Sequence, residues 1–188
     1  MTIITNGGAR RIWTDDQSFA DSRLSHLAIA PCDMIIISNY YFNINPFYDK
    51  ITVVIKMIKE KSCGAVVFNE QMDKVLLIRH LKGHVAFPKG HVEDKETEEE
   101  TAIREVKEET GIDIEIISKN KHHISYSPKP NYYKDVYFFI GKAIGGELRP
   151  QPEEIDECFW CEIDKVLKYI TYEKDKKLFS EILKEITD

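Results

Sequence analysis

Between Gly90 and Ile112 the chain reads GHVEDKETEEETAIREVKEETGI, and nine of those 23 side chains are acidic. Like charges one helical turn apart repel, so such crowding costs stability unless something cationic offsets it. For most Glu/Lys runs a solvated helix face is explanation enough. Here the charges gather on one side. At 100° per residue, Glu105, Glu108 and Glu109 fall within an arc of roughly 100°, with Ile103 and Val106 beside them as an apolar edge. The ends of a helix over 97–110 are also marked. Thr97 stands three residues before Glu100, the spacing of a capping box, and Gly111 is placed to end the helix. Clustered carboxylates raise one another's pKa unless a cation sits among them. Magnesium is held by a few carboxylates together with water and substrate phosphates. Just upstream, Lys89 can pair with phosphate and Gly90 lets backbone approach a ligand. The pattern points to a metal-bound anionic substrate.

The remaining text supplies a sheet for that helix. From residue 61 the chain alternates strand and turn signals. KSCGAVVF (61–68), KVLLIRH (74–80) and VAFP (85–88) read as strands, with NEQMD between the first two as a turn and KGHVEDKE as a loop. Further strands are expected at 112–118, 122–127, 133–143 and 157–163. Helices are expected at 164–170 and 174–186, the last with Leu178, Ile182 and Ile186 at a spacing of four. Helices both within and after the strands give an α+β class with a mixed sheet. A net charge of −6 argues against nonspecific attraction to nucleic acid or an anionic membrane surface. No apolar run approaches the ~20 residues of a membrane span, and the first residues carry no apolar secretory stretch. A cytoplasmic setting is expected.

Cys158 and Cys161 form a C-x-x-C pair, the spacing of redox or zinc motifs. Their flanks read as a strand, in which positions three apart point to opposite faces. Cys32 and Cys63 are isolated and supply no second pair to complete a four-ligand site, so packing is the expectation for Cys158 and Cys161. The tandem His122-His123 should likewise alternate across a strand.

Gly90, five residues, Glu96, seven residues, then Arg104-Glu105-Val106-Lys107-Glu108-Glu109-Thr110-Gly111-Ile112 resembles the Nudix box at every defined position, with seven fixed residues and two apolar ones. The similarity extends from about Ser62 to the C-terminus. It implies the Nudix fold, a mixed β-sheet sandwiched between α-helices, and hydrolysis of a nucleoside diphosphate linked to another moiety. Carried over by position, Glu105, Glu108 and Glu109 would bind magnesium, with manganese as a substitute. Glu96 and Arg104 would orient them. Glu105 is the leading general base and Glu154, ahead of Trp160, the reserve, with Glu153 and Glu157 as its neighbours.

The stretch GHVAFPKGHVE is similar to the asymmetrical diadenosine tetraphosphate hydrolase branch, although it lacks a tryptophan that many of its members carry there. That resemblance implies phosphate contacts from His84, Lys89 and Lys134, with Gly90 beside them and Tyr126, Tyr132 or Tyr133 against adenine. The products would be ATP and AMP. The alternatives are a Nudix enzyme acting on nucleoside triphosphates or RNA 5′ ends, and a Nudix-fold ligand sensor, against which the complete carboxylate set argues. Beyond RNA 5′ ends, a nucleotide is the expected partner. Residues 57–188 are expected to form this domain. Residues 1–56 show little pattern. They are expected not to be an independent domain and to reflect a misassigned upstream start, with Met57 the true one. The competing reading is a genuine extension whose MIIISNYYF and ITVVIK stretches add strands.

Overall fold

Seven consecutive residues, Ser62–Phe68, are buried. That is what a strand covered on both faces requires, and it explains an uninterrupted run of small and β-branched side chains. The computed structural model describes residues 58–187 and, before them, the backbone of three strands. These are β1 (Ile3–Ile4), β2 (Ile35–Tyr41) and β3 (Lys50–Lys56), ordered β1-β3-β2 with antiparallel neighbours. The expectation about residues 1–56 and Met57 otherwise lies outside the described residues. By proximity along the fold the chain divides into two units, Met1–Lys59 with Ser127–Tyr133, and Glu60–Tyr126 with Lys134–Asp188.

The main sheet runs β10 (Ile155–Glu162), β5 (Lys74–His80), β4 (Ile58–Phe68), β9 (Tyr132–Gly146), β8 (Ile112–Tyr126), and all of it except the first two residues of β4 and of β9 belongs to the second unit. Two short strands join it: β6 (Val85–Ala86) on β5 and β7 (Lys89–His91) on β4. Helix α1 (Glu98–Thr110) covers one face, where Val106 packs with Ala65, Val67, Leu76, Ile112 and Ile114. Helices α2 (Ile163–Tyr169) and α3 (Glu173–Thr187) cover the other. There Val166, Leu178, Phe179 and Ile182 meet Val66, Phe68, Phe87, Val136 and Phe138. Each large apolar side chain buried this way stabilises the fold by about 1.5–3 kcal/mol. The result is the expected α/β/α sandwich.

Two elements differ from the sequence expectation. The loop expected from residue 89 begins as strand β7, because its backbone completes hydrogen bonds along Ser62–Gly64 of β4. The two strands expected at 112–118 and 122–127 are one, β8, whose register against β9 shifts between Ile116 and Lys121. The cysteine and histidine expectations follow the pleat. Cys161 is buried in the α2/α3 core while Cys158 packs elsewhere, with Ile78 and Ile155. His122 reaches Glu185 and its neighbour His123 reaches Asp135. Among the described residues, no helix is long and apolar enough to cross a membrane.

Helix α1 is bounded as its sequence specifies. Thr97 Oγ1 accepts from the Glu100 N–H at 3.2 Å, and the Glu100 carboxylate accepts from the Thr97 N–H at 2.8 Å. Gly111, at φ 77°, donates its N–H to the Lys107 carbonyl. Thr97→Ala removes half of the capping box and is expected to cost about 1 kcal/mol. Urea unfolding of the two proteins checks this, and an unchanged midpoint would contradict it.

Candidate active site

Arg104 organises the acidic segment. Its guanidinium donates from Nε and Nη2 to the two oxygens of Glu96, at 2.6 and 2.9 Å. Nη1 reaches Glu105 at 2.8 Å and Glu108 at 2.9 Å, and Nη2 also reaches the His91 carbonyl at 2.9 Å. The forked contact with Glu96 is the strong geometry for this pair. Together with a hydrogen bond from Thr101 Oγ1, it holds the Glu96 carboxyl down at about 2. The carboxylates in turn raise Arg104 above its ordinary value. One cation thus ties the loop before α1 to the carboxylates on the helix.

Those carboxylates differ in environment. Glu108 is exposed, whereas Glu109 is only 3% exposed. Burial pushes Glu109 up to about 8. The Lys89 charge and the Lys89 N–H, which donates to Glu109 at 2.8 Å, oppose that push, while Glu105 and Glu154 add to it. Burial also raises Glu105, against the pull of Arg104. Glu154 is exposed but close enough for its charge to act on Glu109, whereas Glu157 pairs with Arg79. Gly90 of β7 explains how Glu105 comes so close to the backbone. A Cβ built there would lie 2.0 Å from the Glu105 carboxylate.

Among the described residues, no three carboxylate, imidazole or thiol groups converge into a ready-made metal site. Glu105 and Glu108 instead point to the Arg104 guanidinium. The donor chemistry nevertheless fits a hard divalent cation. The available ligands are carboxylate oxygens, and burial disfavours the ionised form of two of them unless positive charge is added.

Lys89 lies at the junction of these groups and the cationic side of the site. Its charge lowers His80, His84 and Lys134 as well as Glu109, although burial is the larger cause for each of the three bases. His84 stacks on His80 with ring centroids 4.1 Å apart and planes 20° apart, and lies 5.7 Å from the Tyr172 ring. Lys134 stands opposite Tyr126 in the β8–β9 register, and both are half-buried. Tyr132 and Tyr133 belong to the other unit, where Lys129 lies 3.6 Å from the Tyr132 ring centroid.

Three residues in this region had no assigned role in the sequence reading: His80, Tyr172 and Asp175. His80 could have been found. The HLKGH stretch is a tight turn in which Gly83, at φ 86°, donates to the His80 carbonyl at 2.7 Å, bringing the two imidazoles together. Tyr172 and Asp175 carry no local signal. They arrive because Thr171 exchanges hydrogen bonds with Val85, through its N–H at 3.0 Å and its hydroxyl at 2.8 Å.

Residues 59–182 match the NUDIX domain. An 8-oxo-(d)GTP phosphatase of Mycolicibacterium smegmatis is 30% identical over 103 residues, which are 55% of this chain and 31% of that protein. An m7GpppN-mRNA hydrolase of Saccharomyces cerevisiae is 31% identical over 107 residues, 56% of this chain and 11% of that protein. The chain therefore spans less than a third of either relative. In three dimensions, a C. elegans Ap4A hydrolase binary complex superposes with a TM-score of 0.61 at 24% identity, covering 68% of this chain and 98% of the other.

Proposed function

The chain belongs to the NUDIX family, and from that membership we propose that it is a magnesium-dependent hydrolase of nucleoside polyphosphates. Water attacks at phosphorus, and the substrate is diadenosine tetraphosphate, split into ATP and AMP. The observation that carries this reading is the meeting of opposite charges across β7. The Lys89 charge acts on His80, His84 and Lys134 as well as on Glu109, while its own N–H holds Glu109 and the next residue, Gly90, makes room for Glu105. A polyphosphate needs both halves: cations for its oxygens and carboxylates for the metal that accompanies it.

In this reading Glu105, Glu108 and Glu109 hold the cation, for which manganese can substitute. When bound, it offsets the charge that develops on the phosphate oxygens and eases the loss of a proton from water. Glu105 accepts that proton as the leading general base. Glu154 is the reserve base. Arg104 and Glu96 fix the directions of Glu105 and Glu108. Lys89, His84 and Lys134 bind phosphate, and Tyr126, Tyr132 or Tyr133 contacts adenine, Tyr126 lying opposite Lys134 in the β8–β9 register.

Lys89→Ala keeps the backbone N–H that holds Glu109 and removes only the ammonium. It is expected to raise KM by roughly tenfold or more with a smaller fall in kcat, since a phosphate contact present in both ground and transition states is lost. Steady-state kinetics checks this, and a large fall in kcat at unchanged KM would contradict it.

The names of the relatives favour a second reading, with nucleoside triphosphates or capped RNA as substrate. A panel of diadenosine tetraphosphate, the nucleoside triphosphates and capped RNA separates the two. We expect kcat/KM to favour diadenosine tetraphosphate by roughly tenfold or more. Preference for a triphosphate or a cap would overturn the substrate while leaving the reaction class intact.

A further inference from the structure

Strand β5 ends on an imidazole that works through its face. His80 Nε2 is shut off from solvent and, among the described residues, has no hydrogen-bond partner. Buried polar groups are almost always bonded, so an open one needs an explanation. What the ring does make is a stack. The His84 ring lies over it with centroids 4.1 Å apart and planes 20° apart. Tyr172 meets His84 as well, but tilted by 54° and 5.7 Å away, so the flat support comes from His80.

The two rings are anchored unequally. His80 belongs to the sheet: it pairs with Ile155 across β5 and β10, and the N–H of Leu81 donates to the Glu154 carbonyl at 3.1 Å. His84 instead follows an exposed turn over residues 81–83. Two backbone bonds close that turn. The His80 N–H donates to the His84 carbonyl at 2.9 Å, and the Gly83 N–H donates to the His80 carbonyl at 2.7 Å. They fix the backbone of His84 and leave its side-chain torsions to be set by the stack. Burial, with the charges of Lys89 and His84 adding to it, pushes His80 down to about 4, so near neutral pH the supporting ring is uncharged. An uncharged aromatic face attracts an imidazolium, whereas a second imidazolium there would repel it.

We propose that His80 is a positioning residue, whose ring holds the His84 imidazole in the orientation that meets a phosphate oxygen without itself touching the substrate. The proposal rests on the reading of His84 as a phosphate contact and adds the residue that makes this contact ready in advance. A side chain already held loses less freedom when a ligand binds, an advantage of roughly three- to tenfold in affinity for one such group. The open Nε2 agrees with this role, because it rules out a hydrogen bond from that nitrogen as the means of orienting His84.

The test is calorimetric binding of tripolyphosphate, with magnesium, to the wild type, His80→Ala, His84→Ala, the double variant and His80→Phe. His84→Ala should weaken binding by roughly tenfold or more, as the loss of a bond to a charged group does. His80→Ala should weaken it by roughly three- to tenfold when His84 is present. Once His84 is gone, it should make no further difference, since a residue that acts only through another is silent without it. His80→Phe keeps a flat, uncharged ring and loses both nitrogens, and it should recover most of the affinity. An equal loss from His80→Ala in both backgrounds, no loss in either, or a folded phenylalanine variant as weak as the alanine one would overturn the proposal. If the phenylalanine variant does not fold, the other four chains decide. Full binding by His84→Ala, or none by the wild type, would refute the phosphate contact and the proposal together. A loss from His84→Ala that simply adds to that from His80→Ala would refute the proposal and leave the phosphate contact standing.

Discussion

Glu105→Gln is expected to lower kcat by roughly 100-fold or more at saturating magnesium, with the folded state unharmed. The amide keeps an oxygen where Arg104 Nη1 donates at 2.8 Å, so the orienting contact survives. It removes a charge that burial already disfavours, which limits any cost to stability. What it cannot do is accept a proton from water or contribute full negative charge to a cation. Thermal unfolding should therefore stay close to wild type while turnover collapses. Retention of a tenth of the wild-type rate would remove Glu105 from the role of general base and shift attention to Glu154.

Gly90→Ala should be nearly as damaging to turnover, for a reason that no inventory of catalytic side chains contains. The added methyl would stand 2.0 Å from the Glu105 carboxyl carbon and as near to its oxygens. The three atoms it would meet first all belong to the flexible end of Glu105, which can swing away while the strand pairing of Gly90 with Cys63 persists. The cost falls on placement. A reacting group misplaced by about 1 Å can lose on the order of 100-fold in rate, so kcat should drop by that order while the unfolding midpoint moves little. Gly145→Ala is the control, because its nearest neighbour is the Asp113 carboxylate at 3.8 Å. Matching kinetics for the two alanine variants would show that the space at Gly90 is irrelevant to Glu105.

What the sequence made legible was local. The bounds of α1 follow from Thr97, Glu100 and Gly111, whose side-chain and backbone chemistry acts within a few residues. The strand at 74–80 is found as expected because its apolar run is bounded by clear turn residues. In α3, Leu178 and Ile182 are buried as their spacing requires, while Ile186 at the end of the helix is exposed. What was not legible depends on partners distant in the chain. KGH at 89–91 has no strand pattern of its own and becomes β7 only because Ser62–Gly64 offers it an edge. Asp175 reads as one more charge at the start of a Lys-rich helix, and only the packing of α3 on the sheet makes it a buried carboxyl. The box residues could be assembled from spacing because one helix and its preceding loop carry them all. His80 comes from the end of β5, whereas Tyr172 and Asp175 come from around the start of α3, a segment far away in the chain.

Hydrolysis of diadenosine tetraphosphate in oxygen-18 water with magnesium, with products resolved by mass, shows whether this chain delivers water to phosphorus from the carboxylate side of β7. ATP and AMP are expected as the only products, with one labelled oxygen in one of the two and no turnover when the metal is chelated. Two molecules of ADP, or no cleavage of any nucleoside polyphosphate by a folded, magnesium-loaded chain, would contradict that mechanism.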